Sequence, residues 1–201
     1  RAKNVKTINE LSRGFPLLKE IAKYFWNGDS ILSLGPTLVY CFWHSDTTIR
    51  NHDIQLTFTP ASYKEGVQST LAKEPGFSVA TWQQRPESLG WVEALSSDPF
   101  CKPLIQPNYL DAEEDKMTCI AAIKLGRNLM RTNAFSKYFD YEIYPGGYGQ
   151  SDDELLQIAR ERGTTTYHPM GSCKMGPITD KTSVVDHNLK VHGINGLRIA
   201  D

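Results

Sequence analysis

HPMGSCKMG, residues 168–176, is the most distinctive segment of this 201-residue chain. Its histidine is followed at once by a proline, then by a turn of small residues and a Cys-Lys-Met-Gly run. Two further segments come soon after it, VVDHNLKVHG at 184–193 and GLRIAD at 196–201. This order of residue types is too particular for an ordinary core segment, so we expect residues 168–201 to carry the function.

Together these segments resemble the C-terminal signature of the glucose–methanol–choline (GMC) family of flavoprotein oxidoreductases. The family pattern is roughly His-Pro-x-Gly-Thr-Cys-Arg/Lys-Met-Gly, then Val-Val-Asp…Leu-x-Val-His-Gly, then Gly-Leu-Arg-Val-Ala-Asp. The chain departs from that pattern at Ser172 and Ile199, and both changes are conservative. Upstream, PESLGWV at 86–92 and SDP at 97–99 are similar to the strand pair that precedes the signature. The resemblance is therefore specific from about Pro86 onward.

The segments ahead of the signature predict an early helix, then a run of strands, and then further helices. Apolar residues recur at helical spacing over 15–27, and Gly28 is a natural stop. Residues 38–45 read as a buried strand. The segment 54–59 alternates between apolar and polar residues, which predicts one buried face and one wet face. Two more strands are expected, at 77–83 and 91–95.

Two capping boxes predict the starts of the later helices. Asp111 with Glu114 precedes an apolar stripe formed by Met117, Ile120, Ala121, Ile123 and Leu125. Ser151 with Glu154 precedes a helix that contains Leu155 and Ile158 and stops at Gly163. Residues 145–149 between them must form an irregular turn. The pattern predicts an α+β fold, an antiparallel sheet with packed helices.

The resemblance implies the same fold and a division of the chain. Residues 1–165 would form the substrate-binding domain of a GMC enzyme. Residues 166–201 would form a truncated C-terminal piece of the FAD-binding domain that carries the active site. Because the chain begins at Arg1 rather than methionine and ends at Asp201, we expect it to be a fragment and inactive by itself.

Alcohol oxidation is the activity that the resemblance implies, with FAD as cofactor and a small-molecule alcohol as substrate. A hydride would pass from the CH–OH carbon to the flavin N5, and His168 would accept the hydroxyl proton, a task that suits an imidazole. Pro169 fixes the backbone just after it. Tyr167 and His168 are expected at the end of a strand, where Tyr167 either borders the substrate or packs in the core. Ala200 and Asp201 would lie near the flavin. The family's second active-site residue, a His or Asn, would lie beyond Asp201.

Rival functions remain open on the sequence alone. A non-redox flavoprotein lyase of the same fold would also use an active-site histidine, and a non-catalytic α+β binding module would bind no flavin. Cys173 has no evident base beside it, and Ser172 lacks the Gly-x-Ser-x-Gly elbow, so hydrolase chemistry is disfavoured. His187 and His192 are five residues apart and do not form a zinc motif, so no metal is expected.

Composition narrows the possible partners further. The formal net charge is −1 with no basic stripe, so nucleic acid is not an expected partner. No apolar run is long enough for a transmembrane segment. The four cysteines lack a Cys-x-x-Cys pair, which favours free thiols and hence a soluble, cytoplasmic protein, although an absent N-terminus leaves the localisation unknown. The alcohol, the electron acceptor and the oligomeric state are left open.

Overall fold

The computed structural model describes residues 1–35, 37–64 and 67–200, which divide into two compact units. The larger unit comprises Arg1–Ser88 and Leu110–Gly163, and the smaller unit comprises Leu89–Tyr109 and Thr164–Asp201. The division into domains at residue 165 implied by the family remains a prediction.

Helices and strands follow one another along the chain in the predicted order. Their bounds are α1 Ile8–Leu11, α2 Gly14–Asn27, a 3-10 turn Ile31–Ser33, β1 Val39–Trp43, β2 Ile54–Thr59, β3 Tyr63–Lys64, β4 Val67–Leu71, β5 Ser78–Gln83, β6 Trp91–Glu93, β7 Leu104–Gln106, α3 Glu113–Arg131, α4 Asn133–Ser136 and α5 Asp152–Arg162. The pairs formed among these seven strands are antiparallel. The α+β class is therefore confirmed.

A three-stranded sheet in the order β1-β2-β5 carries the core of the larger unit. Ile54 and Leu56 of the central strand β2 pack against Ala122 of α3, and all three are buried. The helix approaches the sheet closely at Gly126, where an added Cβ would lie 3.4 Å from Val79 Cγ1. Burial of one face of the sheet by α3 thus follows from the alternation that the sequence shows in β2.

The exposure of the two first strands differs from the prediction. The segment predicted at 38–45 forms β1, but its side chains are mostly exposed, because α3 packs mainly on β2 and β5 and leaves β1 largely uncovered. In β2 the prediction that the polar residues face water is wrong for Thr57 and Thr59, which are buried as Ile54 and Leu56 are. A central strand is shielded by neighbours on both sides, so its polar positions are also removed from water.

Helix α3 begins where predicted but is not capped as predicted. Its N-cap is Ala112 and not Asp111, and no side chain caps it within α3 itself. Ser88 Oγ instead accepts hydrogen bonds from the backbone N–H groups of Asp111 and Ala112, each at 3.0 Å. The buried stripe runs through Asp115, Thr118, Ala122 and Gly126, whereas Met117, which was predicted to lie on it, is 63% exposed.

Asp115 is buried at the start of α3 and holds the segment before it. Its carboxylate oxygens accept the backbone N–H groups of Glu87 and Ser88, each at 2.9 Å. Burial alone would raise the pKa of Asp115, but the hydrogen bonds from Ser88, Glu87 and Gln83 outweigh it and lower the pKa. The ionised form is therefore the one that stabilises the fold.

Asp115→Asn is expected to destabilise the larger unit by about 1–3 kcal/mol, because an amide donor would face backbone donors in a buried site. A lowered pKa in the folded state makes this contribution present above the ordinary aspartate pKa and lost as the pH falls through the folded value. The wild-type advantage in urea unfolding should therefore be full at pH 7 and shrink below about pH 4. Asp111→Asn, an exposed change, is the control; equal midpoints for both variants at pH 7 would contradict the account.

The other helix ends agree with their sequence signals. Helix α2 stops at Gly28, whose φ of 74° is left-handed, as predicted. The capping box of Ser151 and Glu154 begins α5, and Gly163 ends it in an extended conformation. Residues 145–149 form the expected irregular turn. Arg127 of α3 fixes this turn through hydrogen bonds to Glu142 at 2.9 Å and to the carbonyl oxygen of Gly149 at 2.6 Å.

Candidate active site

The C-terminal segment of the smaller unit is built around Val185, which is buried with 2% of its surface exposed. The carbonyl oxygen of Lys174 accepts the backbone N–H groups of Val184 at 2.8 Å and Val185 at 3.3 Å, and Gly176 N–H donates to the carbonyl oxygen of Val185 at 2.9 Å. His192 N–H in turn donates to the carbonyl oxygen of Val184 at 3.0 Å. Backbone hydrogen bonds therefore join the first signature segment, 168–176, to the second, 184–193.

Lys174 of the signature is also held through its side chain. Its ammonium group donates to Asp180 Oδ2 at 2.9 Å and to Thr182 Oγ1 at 2.8 Å. Hydrogen bonds from Thr182 and then from Lys174 hold the pKa of Asp180 far below its usual range. Lys174 thus closes the loop between residues 174 and 182.

A turn leads from this scaffold back to His168. Lys174 N–H donates to the carbonyl oxygen of Gly171 at 3.2 Å, and Gly171 has a φ of 94°, a conformation that favours glycine. His168 itself is exposed, and its ring has no hydrogen-bond partner among the residues that the structure describes. Both ring nitrogens are therefore free to meet a substrate.

Tyr167 has the least ordinary backbone near the site. Its φ is 59°, which non-glycine residues adopt rarely, and 77% of its surface is exposed. The sequence placed Tyr167 and His168 at a strand end, and this is wrong, because residues 164–172 belong to no helix or strand. The ring is also not packed into the core of its unit. A left-handed residue beside a candidate base is the kind of strain found at functional sites.

Thr165 organises this segment, and the sequence analysis did not identify it. Its Oγ1 accepts the backbone N–H of Tyr167 at 3.0 Å and the hydroxyl of Tyr109 at 3.0 Å. The first bond is a hydroxyl-to-backbone contact two residues on, which is typical of Thr in turns. That local pattern was the one signal in the sequence that could have indicated a role for Thr165. The hydrogen bond from Tyr109 spans 56 residues and could not be predicted from the sequence.

The third signature segment forms an antiparallel return that ends at Ala200. Val191 N–H donates to the carbonyl oxygen of Leu197 at 3.1 Å, and Ile199 N–H donates to that of Leu189 at 3.0 Å. Ala200 is exposed. Asp201, predicted beside it as a cofactor residue, lies outside the described residues. No hydrogen bond joins Tyr167, His168 and Ala200 to one another in the described part of the chain, so their assembly into one site remains a prediction.

The other two histidines of the smaller unit and the four cysteines have ordinary surroundings. His192 Nε2 lies 3.0 Å from the carbonyl oxygen of Gly176, and His187 Nε2 lies 3.0 Å from Asn188 Nδ2. Within residues 1–35, 37–64 and 67–200, no group of three His, Cys, Asp or Glu side chains is arranged to hold a metal ion. Cys173 and the other three cysteines are free thiols. None of the described helices combines the length and the apolar character needed to cross a bilayer.

Comparison with known proteins identifies the family. Residues 86–201 match the model of the GMC oxidoreductase family, in its C-terminal domain. The chain is 38% identical over 149 residues to an alcohol dehydrogenase [acceptor] of Pseudomonas putida, covering 74% of this chain and 26% of that protein. It is 36% identical over 180 residues to an oxygen-dependent choline dehydrogenase of Acinetobacter baumannii, covering 90% of this chain and 32% of that protein.

Solved structures share the fold. A formate oxidase superposes on 100% of this chain, and on 40% of its own, with a TM-score of 0.81 and 22% identity. A pyridoxine 4-oxidase from Mesorbium loti covers 84% of this chain and 33% of its own, with a TM-score of 0.74 and 22% identity. The chain thus spans about a third of the length of the proteins it matches. It belongs to the GMC oxidoreductases, a family of FAD-dependent flavoproteins.

Proposed function

We propose that this chain is the C-terminal part of a flavoenzyme that oxidises the CH–OH group of a small-molecule alcohol, with His168 as the proton acceptor. The observation that carries the proposal is the placement of His168, an exposed imidazole without a partner among the described residues, next to a strained turn in the family signature. The names of the two relatives, one an alcohol dehydrogenase and one a choline dehydrogenase, support the substrate class.

The residues at the end of the third signature segment fit a bound flavin. Ala200 is exposed, and its backbone N–H makes no hydrogen bond within the described residues, so it can meet an anionic or carbonyl group of a cofactor. Ala200, with Asp201 beside it, would therefore hold the flavin. FAD, when bound, supplies the hydride acceptor for the oxidation.

His168 would remove the hydroxyl proton of the alcohol as the carbon loses its hydride. A neutral imidazole is suited to this task near neutral pH, and neither ring nitrogen is already committed in the described structure. Pro169 restricts the backbone after His168, and the hydrogen bond from Tyr167 N–H to Thr165 Oγ1 restricts it before. Tyr167, whose ring is exposed beside the base, would contact the substrate.

Anaerobic mixing of the full-length protein with alcohols tests this proposal. We expect choline or a simple primary alcohol to bleach the oxidised flavin spectrum in proportion to aldehyde formed. A lyase of the same fold would consume its substrate and leave the flavin oxidised. A binding module would show no flavin absorption after purification. Either of these two outcomes would contradict the proposed oxidation.

The 201-residue chain alone is expected to bind FAD only weakly. Its sequence lacks the Gly-x-Gly-x-x-Gly turn, whose backbone amides at a helix N-terminus anchor the pyrophosphate of dinucleotides. Titration of the purified chain with FAD, followed by flavin fluorescence, measures this directly. Stoichiometric binding at about 1 μM or below would mean that the C-terminal residues hold the cofactor without that turn.

A further inference from the structure

One end of the three-stranded sheet brings three parts of the chain together. Trp43 at the end of β1, Ile54 at the start of β2 and Gln83 at the end of β5 are paired in register. The loop 44–53 and the residues just after Gln83 therefore leave the sheet side by side. Two backbone hydrogen bonds fix this arrangement. Asp53 N–H donates to the carbonyl oxygen of Trp43 at 3.1 Å, and Gln84 N–H donates to the carbonyl oxygen of Asp53 at 2.7 Å.

An open cleft of about 410 Å³ lies at this end of the sheet, and its lining is rich in donors. Phe42, Asn51, His52, Gln84 and Arg85 line it, and all belong to the larger unit. The guanidinium of Arg85, the imidazole of His52 and the amide of Asn51 have no hydrogen-bond partner within the described part of the chain. Phe42 supplies an apolar wall.

The acidic groups of the adjoining loop form no ion pair with Arg85 within the described residues. Asp53 accepts Ser45 N–H at 2.7 Å and the Ser45 hydroxyl. Asp46 accepts the N–H and the hydroxyl of Thr48, each at 2.7 Å. Both carboxylates are thus occupied by hydrogen bonds inside the loop. Arg85 is left as the fixed positive charge of the cleft.

Two stacked histidines lie at the same end of the sheet as the cleft. The rings of His44 and His52 lie 4.3 Å apart at an interplanar angle of 28°. Nδ1 of His44 is buried, and it lacks a hydrogen-bond partner among the described residues. The stacking holds the imidazole of His52, which lines the cleft, against the ring of His44.

We propose that this cleft binds a small organic anion, with its carboxylate or phosphate on Arg85 and His52 and its apolar part against Phe42. An oxyanion would complete the hydrogen bonding of the guanidinium, which presents a fork of donors suited to it. The cleft is larger than a bare ion requires, which leaves space for the apolar part. The lining of this cleft contains none of the residues assigned to the proposed alcohol oxidation.

The test is a titration of the ¹⁵N-labelled chain with benzoate, phenyl phosphate and the neutral isostere benzamide. We expect saturable shifts of the backbone amide signals of Asn51, His52, Gln84 and Arg85 with at least one of the two anions, and none with benzamide. The tighter anion identifies the charged group. Arg85→Gln should weaken binding about tenfold or more, because hydrogen bonds to charged groups are the strong ones.

Two variants make the result specific. His52→Gln should also weaken binding, whereas Arg131→Gln, which removes an exposed arginine elsewhere in the larger unit, should leave it unchanged. Both cleft residues are exposed, so their substitution should not unfold the chain. The absence of saturable shifts with both anions would overturn the proposal. Equal weakening by Arg85→Gln and Arg131→Gln, or equal binding of benzamide, would also overturn it.

Discussion

Leu155→Asp is expected to unfold most of the larger unit. Leu155 is fully buried on α5, and an unpaired carboxylate at such a position costs several kcal/mol in addition to the lost apolar burial. Truncation of a buried leucine alone costs about 2–5 kcal/mol. Domains of this size are stable by only about 5–15 kcal/mol, so the loss is a large part of the total.

Urea unfolding followed by circular dichroism measures the effect. Leu18→Asp is the matched control, because Leu18 also lies on a helix of the larger unit but is 61% exposed. The control should change the free energy of unfolding by about 0.5 kcal/mol or less. An unchanged midpoint for Leu155→Asp would mean that the buried face of α5 has been assigned wrongly.

Features that depend on neighbouring residues were predictable from the sequence. The end of α2 at Gly28 requires only a residue that tolerates a positive φ, and the start of α5 requires only Ser151 and Glu154. The alternation in β2 correctly placed Ile54 and Leu56 in the core. Each of these signals acts within a few residues, so tertiary packing did not override it.

Features that depend on distant residues were not predictable. The backbone N–H groups just before α3 donate to Ser88, which is 23 residues from Asp111. The local pattern of Asp111 and Glu114 therefore predicted the wrong capping group. Burial of Thr57 depends on the central place of β2 in the sheet, which no local period reveals. Exposure of β1 likewise depends on which strands α3 covers, and α3 packs mainly on β2 and β5.

In the candidate site, too, local features were predictable and features that depend on distant residues were not. The signature identified the segment that contains His168, because particular residue types at fixed spacing can be recognised without a fold. The expected strand end at Tyr167 was wrong, since the left-handed turn there is held by Thr165, which also accepts a hydrogen bond from Tyr109 far along the chain. Nothing local to Asn51 or Arg85 indicated the cleft, which exists only because three strand ends meet.

His168→Ala in the full-length protein is expected to slow reduction of the flavin by about 10²–10⁴-fold while the flavin stays bound. The imidazole is exposed on the turn beside Tyr167 and makes no hydrogen bond within the described structure, so its loss removes a base without removing a structural contact. A second active-site residue beyond Asp201 would take part of the role. The lower end of the range is therefore the expected value.

Anaerobic stopped-flow of the reductive half-reaction measures this step apart from reoxidation of the flavin. The wild type, His168→Ala and His187→Ala are compared with the same alcohol at saturation. His187 is the control because it is an exposed histidine of the same unit, and among the described residues its ring is hydrogen-bonded only to its neighbour Asn188. We expect a reduction rate at least about 100-fold lower for His168→Ala, with the control unchanged. Reduction of the His168→Ala flavin at the same rate as the control would contradict it.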